Sequence, residues 1–337
     1  MPDPILSVCI PTFDMGAWVG AAVDSALALE PAELVEVVVV ENASADDSRE
    51  VLARYVDHPR VRVSFEDEHV GMAANWNRAM RLATGEWCVM LCADDRLQPE
   101  FMSNLMAFTA DPSVVLIGQA CRVFEGRPPR PTSVLGDERE TEYAGSEGLR
   151  RVLTGDPFPF SATAFRREAF EQIGGFRPDV AGIMSDWDLW IRLVALPGRR
   201  GVATGIIGGE YYWDRGSAWK RVTDRGEEIA LIGEYLRRIA PWLEARRADR
   251  WARGELAHRA VAKAVPCIAR GELGPARTRL RAGVRYGVGA WRARALAEWA
   301  LLSIGIGAPL ARWRAAARPG GRLRDRASGS GMARARS

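Results

Sequence analysis

A chain of 337 residues that is 47% hydrophobic and 26% charged has the apolar content for one large core, or for a catalytic domain with a smaller module, which excludes disorder as a whole. Its five cysteines lack Cys-x-x-Cys spacing and lie mostly in apolar runs, as expected of reduced core residues in a cytoplasmic protein, and with only His58, His69 and His258 any metal must be held mainly by oxygen. The net charge of +3 hides a split: residues 1–217 carry 20 Arg/Lys against 33 Asp/Glu, residues 218–337 carry 26 against 10. That basic half suits an anionic acceptor or a membrane surface, although an Arg/Ala-rich composition would produce the same excess.

Ile5–Ile10 is too short for a signal core and reads as the first strand. Residues 5–118 then alternate short β-branched runs with helical patterns, the mark of a mostly parallel sheet with crossover helices. Strands are expected at 6–10, 36–41, 61–65, 87–92 and 114–118, and helices at about 17–29, 46–56, 71–83 and 99–109. Ser44 is placed to cap the second helix, with Asp46 and Asp47 at its positive end. From 125 to 145 the chain turns polar and Pro/Gly-rich without apolar period, which predicts a long functional loop.

A strand near 161–165, helices near 167–173 and 186–195, and a strand near 202–213 complete the first part. From Asp224 the pattern is helical: Ile229, Ile232, Leu236, Ile239 and Leu243 share one face, and further helices are expected at 247–270, 274–286 and 291–315. Ala295–Ala311 is too short and too interrupted to span a bilayer and reads as an interfacial or buried helix. The domains are thus 1–217, a helical region 218–317, and a basic tail 318–337 expected to be disordered.

Three acidic strand or helix ends carry the chemistry. Trp87–Asp95 is an apolar strand ending in two adjacent carboxylates, where open α/β sheets gather ligands. Asp94 and Asp95 repel unless a cation joins them, which points to Mg2+ or Mn2+ with substrate phosphates; a helix-capping pair is the plain alternative. Glu41, ending a valine strand, accepts hydrogen bonds when ionised and is suited to the ring N–H of uracil, thymine or guanine, or it simply feeds a turn. In Ser185–Arg192, Asp188 and Arg192 have ion-pair spacing, while Asp186 is either an N-terminal cap or a reactive carboxylate.

Seven motifs in order, Ser7–Phe13, Val40–Asp46, Gly71–Asn77, Gly85–Trp87, Leu91–Asp95 with Pro99, Gly174–Phe176 and Ser185–Arg192, resemble glycosyltransferase family 2 over about residues 5–217. The resemblance implies a GT-A fold and inverting transfer from a UDP, dTDP or GDP sugar, a hexosyltransferase-type activity. By position it implies that Pro11, Thr12, Phe13, Glu41, Asn77, Arg78 and Asp94 meet the nucleotide, that Asp95 holds the metal, and that Asp186 is the catalytic base.

Several positions depart from the family pattern. Glu41 stands for the usual aspartate, Ser185 for an acid before the base, and Trp76 for an arginine that Arg78 would replace. The histidine that often completes the metal shell is absent from Tyr211–Ser217, which leaves Asp214 and Arg215 as candidates for the diphosphate or metal side.

A nucleotidyltransferase is disfavoured by the lack of a Gly-rich basic loop after the first strand, and a dehydrogenase by the lack of GxGxxG. A degenerate binding or scaffold subunit is the non-enzymatic alternative. The acceptor, whether glycan, lipid-linked or natural product, is left open, and no nucleic-acid partner is expected.

Overall fold

A computed structural model of the protein describes residues 3–126, 128–213 and 218–303. These fall into two compact units: one holds the described residues up to Trp219 together with Arg238–Ala252, the other Lys220–Arg237 together with the described residues from Arg253 on.

The first unit is built on one sheet of ten strands: β1 (Leu6–Thr12), β2 (Val35–Glu41), β3 (Val61–Phe65), β4 (Trp87–Met90), β5 (Arg96–Leu97), β6 (Val114–Glu125), β7 (Arg130–Leu135), β8 (Thr141–Ala144), β9 (Thr163–Arg166) and β10 (Arg200–Trp213). Their order is β3-β2-β1-β4-β9-β6-β10-β5, with β7 on β6 and β8 on β10. The first four pair in parallel. Strand β9 enters antiparallel between β4 and β6, and β10 returns parallel to β6, so the sheet is mixed.

The parallel block is apolar on both faces, with Val37–Val40 fully buried, because helices cover it on both sides. These helices are α1 (Gly16–Leu27), α2 (Ser48–Ala53), α3 (Met72–Leu82) and α4 (Phe101–Thr109), followed by α5 (Gly145–Thr154), α6 (Arg167–Gln172), α7 (Pro178–Ala181) and α8 (Ser185–Val194). Helix α1 buries Val19, Ala22, Val23 and Ala26, the i, i+3, i+4, i+7 stripe that drives it onto the sheet. Gly85 has to be glycine: a Cβ there would lie 2.7 Å from the Ser7 backbone nitrogen, where the chain enters β4 beside β1.

Two local expectations are corrected. The 125–145 segment contains β7 and β8 rather than a long loop; every residue of β7 is exposed, so its backbone pairs with β6 while its side chains carry no apolar alternation to read. Ser44 does not cap α2, since its hydroxyl accepts the Asp14 amide at 2.9 Å. Asp46 serves instead, accepting from Gly16 N at 2.8 Å and Ser48 N at 3.0 Å, so one carboxylate meets the positive ends of α1 and α2 together.

Beyond β10 come α9 (Ala218–Arg225), α10 (Glu228–Arg238), α11 (Ala240–Glu244), α12 (Asp249–Arg270), α13 (Leu273–Tyr286) and α14 (Gly289–Ser303). In the second unit Val261, Ala264, Ile268, Leu280, Ala295 and Leu302 form the core. The fully buried Glu228 accepts Arg279 Nε–H at 2.6 Å, and Arg279 Nη2 donates to Thr223 O at 2.7 Å, which ties α9, α10 and α13. Among the described residues no helix is long and apolar enough to cross a membrane. The rest of the helix expected at 291–315 and the 318–337 tail lie outside them.

Candidate active site

Strand β4 delivers Asp94 and Asp95 past its carboxyl end. Asp95 is 1% exposed, and both oxygens are engaged: Oδ2 accepts Ser161 Oγ–H at 2.5 Å and Oδ1 accepts the Tyr212 amide at 2.9 Å. Ser161 belongs to the 3-10 turn Phe160–Ala162 that leads into β9, and Tyr212 sits near the end of β10. One carboxylate therefore joins the ends of β4 and β10 and the start of β9. Burial, and next the charge of Asp94, push the Asp95 carboxyl up to about 8, against the pull of Ser161, Tyr212 and Arg96.

Cys92 completes a group with Asp94 and Asp95 whose potential ligand atoms lie within 4.8 Å of one another. Its thiol is pushed well up, by burial first and then by the charges of Asp95 and Asp94. A buried carboxylate and a half-buried one side by side, the first pushed up by its burial and then by the charge of the second, form a donor set that a divalent cation with oxygen preference relieves. The residues fit Mg2+ or Mn2+ on those grounds, with Asp95 as the holder and Asp94 beside it.

Asp186 opens α8 and accepts the Trp187 amide at 2.7 Å on its own Oδ1. Burial raises its carboxyl to about 6, the Trp187 amide opposing and Asp188 adding. Trp187 Nε1 donates to Val152 O at 2.8 Å and Gly155 O at 3.1 Å, which pins the segment after α5 beside the start of α8. Asp156 follows on that segment with its side chain open to solvent at the surface, and its carboxyl is pushed up by the atoms crowded around it and then by the charge of Asp186. The charges of Asp95, Asp94 and Asp186 all reach the Cys92 thiol and the Tyr211 hydroxyl and help to push both up, after burial.

Two residues after Asp186, Asp188 is different in kind. It is fully buried and accepts from Arg177 and from Arg192 Nε at 2.9 Å, while Arg192 also donates to Ile173 O at 2.9 Å and Gly175 O at 2.6 Å. The expected Asp188–Arg192 pair is present and is structural, with Arg177 as a partner that spacing did not disclose.

At the ends of β1 and β2, Thr12 is 2% exposed and its hydroxyl has no partner among the described residues. Phe13 is exposed and its ring lies 4.2 Å from that of His69, centroid to centroid. Arg78 Nη1 donates to Asn42 Oδ1 at 3.1 Å, and Asn42 also holds Val70. Two expected nucleotide contacts are otherwise engaged. Glu41, fully buried, accepts the Ser44 amide at 2.5 Å and lies 2.7 Å from Arg49 Nε, and Asn77 brackets Phe176 by donating to its carbonyl and accepting its amide. Asp214 and Arg215 lie outside the described residues.

The glycosyl transferase family 2 model matches residues 7–174. The chain belongs to glycosyl transferase family 2. It is 30% identical over 204 residues to an uncharacterized protein of Mycobacterium tuberculosis, covering 57% of this chain and 62% of that one, so under two thirds of the relative is spanned. It is 26% identical over 201 residues to a PGL/p-HBAD biosynthesis glycosyltransferase of Mycobacterium bovis, covering 58% and 72%.

Among solved structures it resembles the mannosyltransferase PcManGT of Pyrobaculum calidifontis, in complex with GDP-Man and Mn2+, at TM-score 0.53 and 21% identity over 93% of this chain and 84% of that one. It also resembles residues 1–349 of TarS of S. aureus, in complex with UDP, at TM-score 0.58 and 16% identity over 91% and 89%. The family 2 fold is GT-A.

Four residues that contact or flank the candidate site residues are not singled out by the sequence: Ser161, the Tyr212 backbone, Asn42 and Asp156. Ser161 and Tyr212 reach Asp95 from 66 and 117 residues away, distances that only strand order closes. Asn42 was within reach of sequence reasoning, because it follows Glu41 directly at the strand end where ligands gather.

Proposed function

We propose that the protein transfers a sugar from a nucleoside diphosphate donor to an acceptor hydroxyl with inversion at the anomeric carbon. The observation that carries this is the acidic pair Asp94 and Asp95 past the end of β4, with Asp95 fixed by Ser161 and the Tyr212 amide, and Asp186 at the start of α8, near enough that all three charges reach Cys92 and Tyr211. An acidic pair able to hold a diphosphate-bound cation on one side and a lone carboxylate on the other is the arrangement a single displacement needs. GDP-Man and UDP in the structural neighbours support a nucleotide-sugar donor, and the Mn2+ of the mannosyltransferase supports the metal.

In this reading Asp186 accepts the acceptor hydroxyl proton as that oxygen forms its bond to the anomeric carbon. The bond from that carbon to the diphosphate oxygen breaks at the same time, and the electron pair leaves with the nucleoside diphosphate. A Mg2+ or Mn2+ ion held by Asp95, with Asp94 beside it on the ribose, would neutralise charge on the departing diphosphate. Ser161 and the Tyr212 amide hold the Asp95 carboxylate in place. Pro11, Thr12 and Phe13 form one wall of the nucleobase site, and the buried Thr12 hydroxyl, left without a partner, is free to bond a base. Asn42, His69 and Arg78 border it beside them, the His69 ring against Phe13, and Glu41 and Asn77 fix turns nearby.

Asp186→Asn tests the assignment. Nucleotide binding by calorimetry should be retained and turnover should fall at least about a hundredfold, the scale of a positioned general base. Transfer near the wild-type rate would overturn the role of Asp186.

A further inference from the structure

We propose that the exposed face of the α13–α14 hairpin binds an anionic phospholipid surface. Arg277, Arg281 and Arg285 stand one helical turn apart on the exposed side of α13, and Arg292 and Arg294 are exposed on α14. No ion pair joins any of the five to an acid among the described residues, whereas the neighbouring Arg259, Lys263, Arg270 and Arg279 are all paired. Their ordered contacts are uncharged: Arg277 Nη2 donates to Leu302 O at 3.3 Å and Arg292 Nε to Val284 O at 2.9 Å, so each arm crosses the hairpin and leaves its charge uncompensated.

The same hairpin carries an apolar stripe. Ala293, Leu296, Ala297 and Ala300 recur at i, i+3, i+4 and i+7 on the exposed side of α14, and Leu296 is 48% exposed. The opposite side of α14, with Ala295, Glu298 and Leu302, is buried against the rest of the unit. An apolar stripe flanked by arginines matches a bilayer surface, with aliphatic groups below the headgroups and guanidinium groups among the phosphates.

A nucleic acid has no use for the alanine–leucine stripe. The aromatic face that could stack a base, Trp291, is already covered by His258 at 4.4 Å and Arg294 at 5.0 Å. This inference is independent of the catalytic reading, because binding is measured without donor or acceptor.

The test is flotation of the full chain with phosphatidylcholine vesicles and with phosphatidylcholine–phosphatidylglycerol vesicles. Binding is expected only to the second, falling as salt is raised. Each arginine near the surface contributes about fivefold in partitioning, so Arg281→Glu/Arg285→Glu should weaken binding by at least about twenty-fold, while Arg281→Lys/Arg285→Lys retains it. Leu296→Gln should weaken binding without changing the salt dependence; all these positions are exposed, and unchanged thermal melts confirm the fold.

Three results would overturn the proposal. The first is equal binding to both vesicle types, or to neither. The second is anionic binding untouched by the hairpin variants, which would assign it elsewhere in the chain. The third is polyuridylate binding tighter than vesicle binding and indifferent to Leu296→Gln, which would make the face a polyanion site.

Discussion

Asp188→Asn is expected to destabilise the first unit while Asp186→Asn leaves its stability nearly unchanged, although the two acids lie two residues apart on one helix. The Asp188 carboxylate accepts three guanidinium N–H groups, two from Arg177 and one from Arg192. The asparagine keeps an acceptor of similar size and removes the charge, so Arg192, 6% exposed, keeps its bonds to the carbonyls of Ile173 and Gly175 and loses the counter-charge of Asp188. Breaking one side of a buried pair costs about 3–5 kcal/mol. Arg177 is 30% exposed, so its half of the pair is partly screened by solvent and the expected cost is near the low end, about 3 kcal/mol.

Urea denaturation followed by tryptophan fluorescence measures that cost. The double variant Asp188→Asn/Arg192→Met removes both charges and should cost at least about 1 kcal/mol less than the sum of the single changes, because the uncompensated cation is gone. Loss below about 1 kcal/mol for Asp188→Asn, or an additive cycle, would refute the view that this ion pair fastens the 173–177 turn to α8.

The pH dependence of kcat/KM tests Asp186 in a second way. Its carboxylate form accepts the proton, and burial holds its pKa up at about 6, so activity should be full above that pH and fall as pH drops through it. For the metal, thermal-shift profiles with UDP, dTDP and GDP should show stabilisation that depends on Mn2+ and disappears in Asp95→Asn. Activity that survives both exhaustive chelation and Asp95→Asn would refute the metal role.

The parallel half of the sheet was legible because both signals that specify it are local: valine runs for doubly covered strands and apolar periods for the helices between them. The polar 125–145 segment reads as a loop from its side chains, yet it contains β7 and β8. A strand whose side chains are all in water, like β7, is held by backbone bonds to β6 and leaves no pattern in its side chains. The acids were visible as strand and helix ends, but their environments were not. Nothing in the sequence separates Asp186, capped by its own helix amide, from Asp188, locked by two arginines, beyond the i, i+4 spacing to Arg192. Glu41 reads as an open acceptor in sequence and is enclosed in the structure by Ser44 and Arg49.

The strand order explains why the metal-side carboxylate needs support from so far along the chain. Strand β4 is followed in the sheet by β9, and β6 and β10 lie beyond it, so the ends of β4 and β10 enclose the lead-in to β9. A carboxylate there has no solvent to satisfy its oxygens and must find donors on those neighbours. Ser161 supplies a hydroxyl from the turn before β9, and Tyr212 supplies a backbone amide, which no substitution of its side chain removes. The tyrosine side chain is directed elsewhere, its hydroxyl bonded to Glu210 and its ring stacked on Phe124. Position 212 thus contributes to the site through its place in β10, and any change that shifts the β10 register against β6 would release Asp95 without altering an acidic residue.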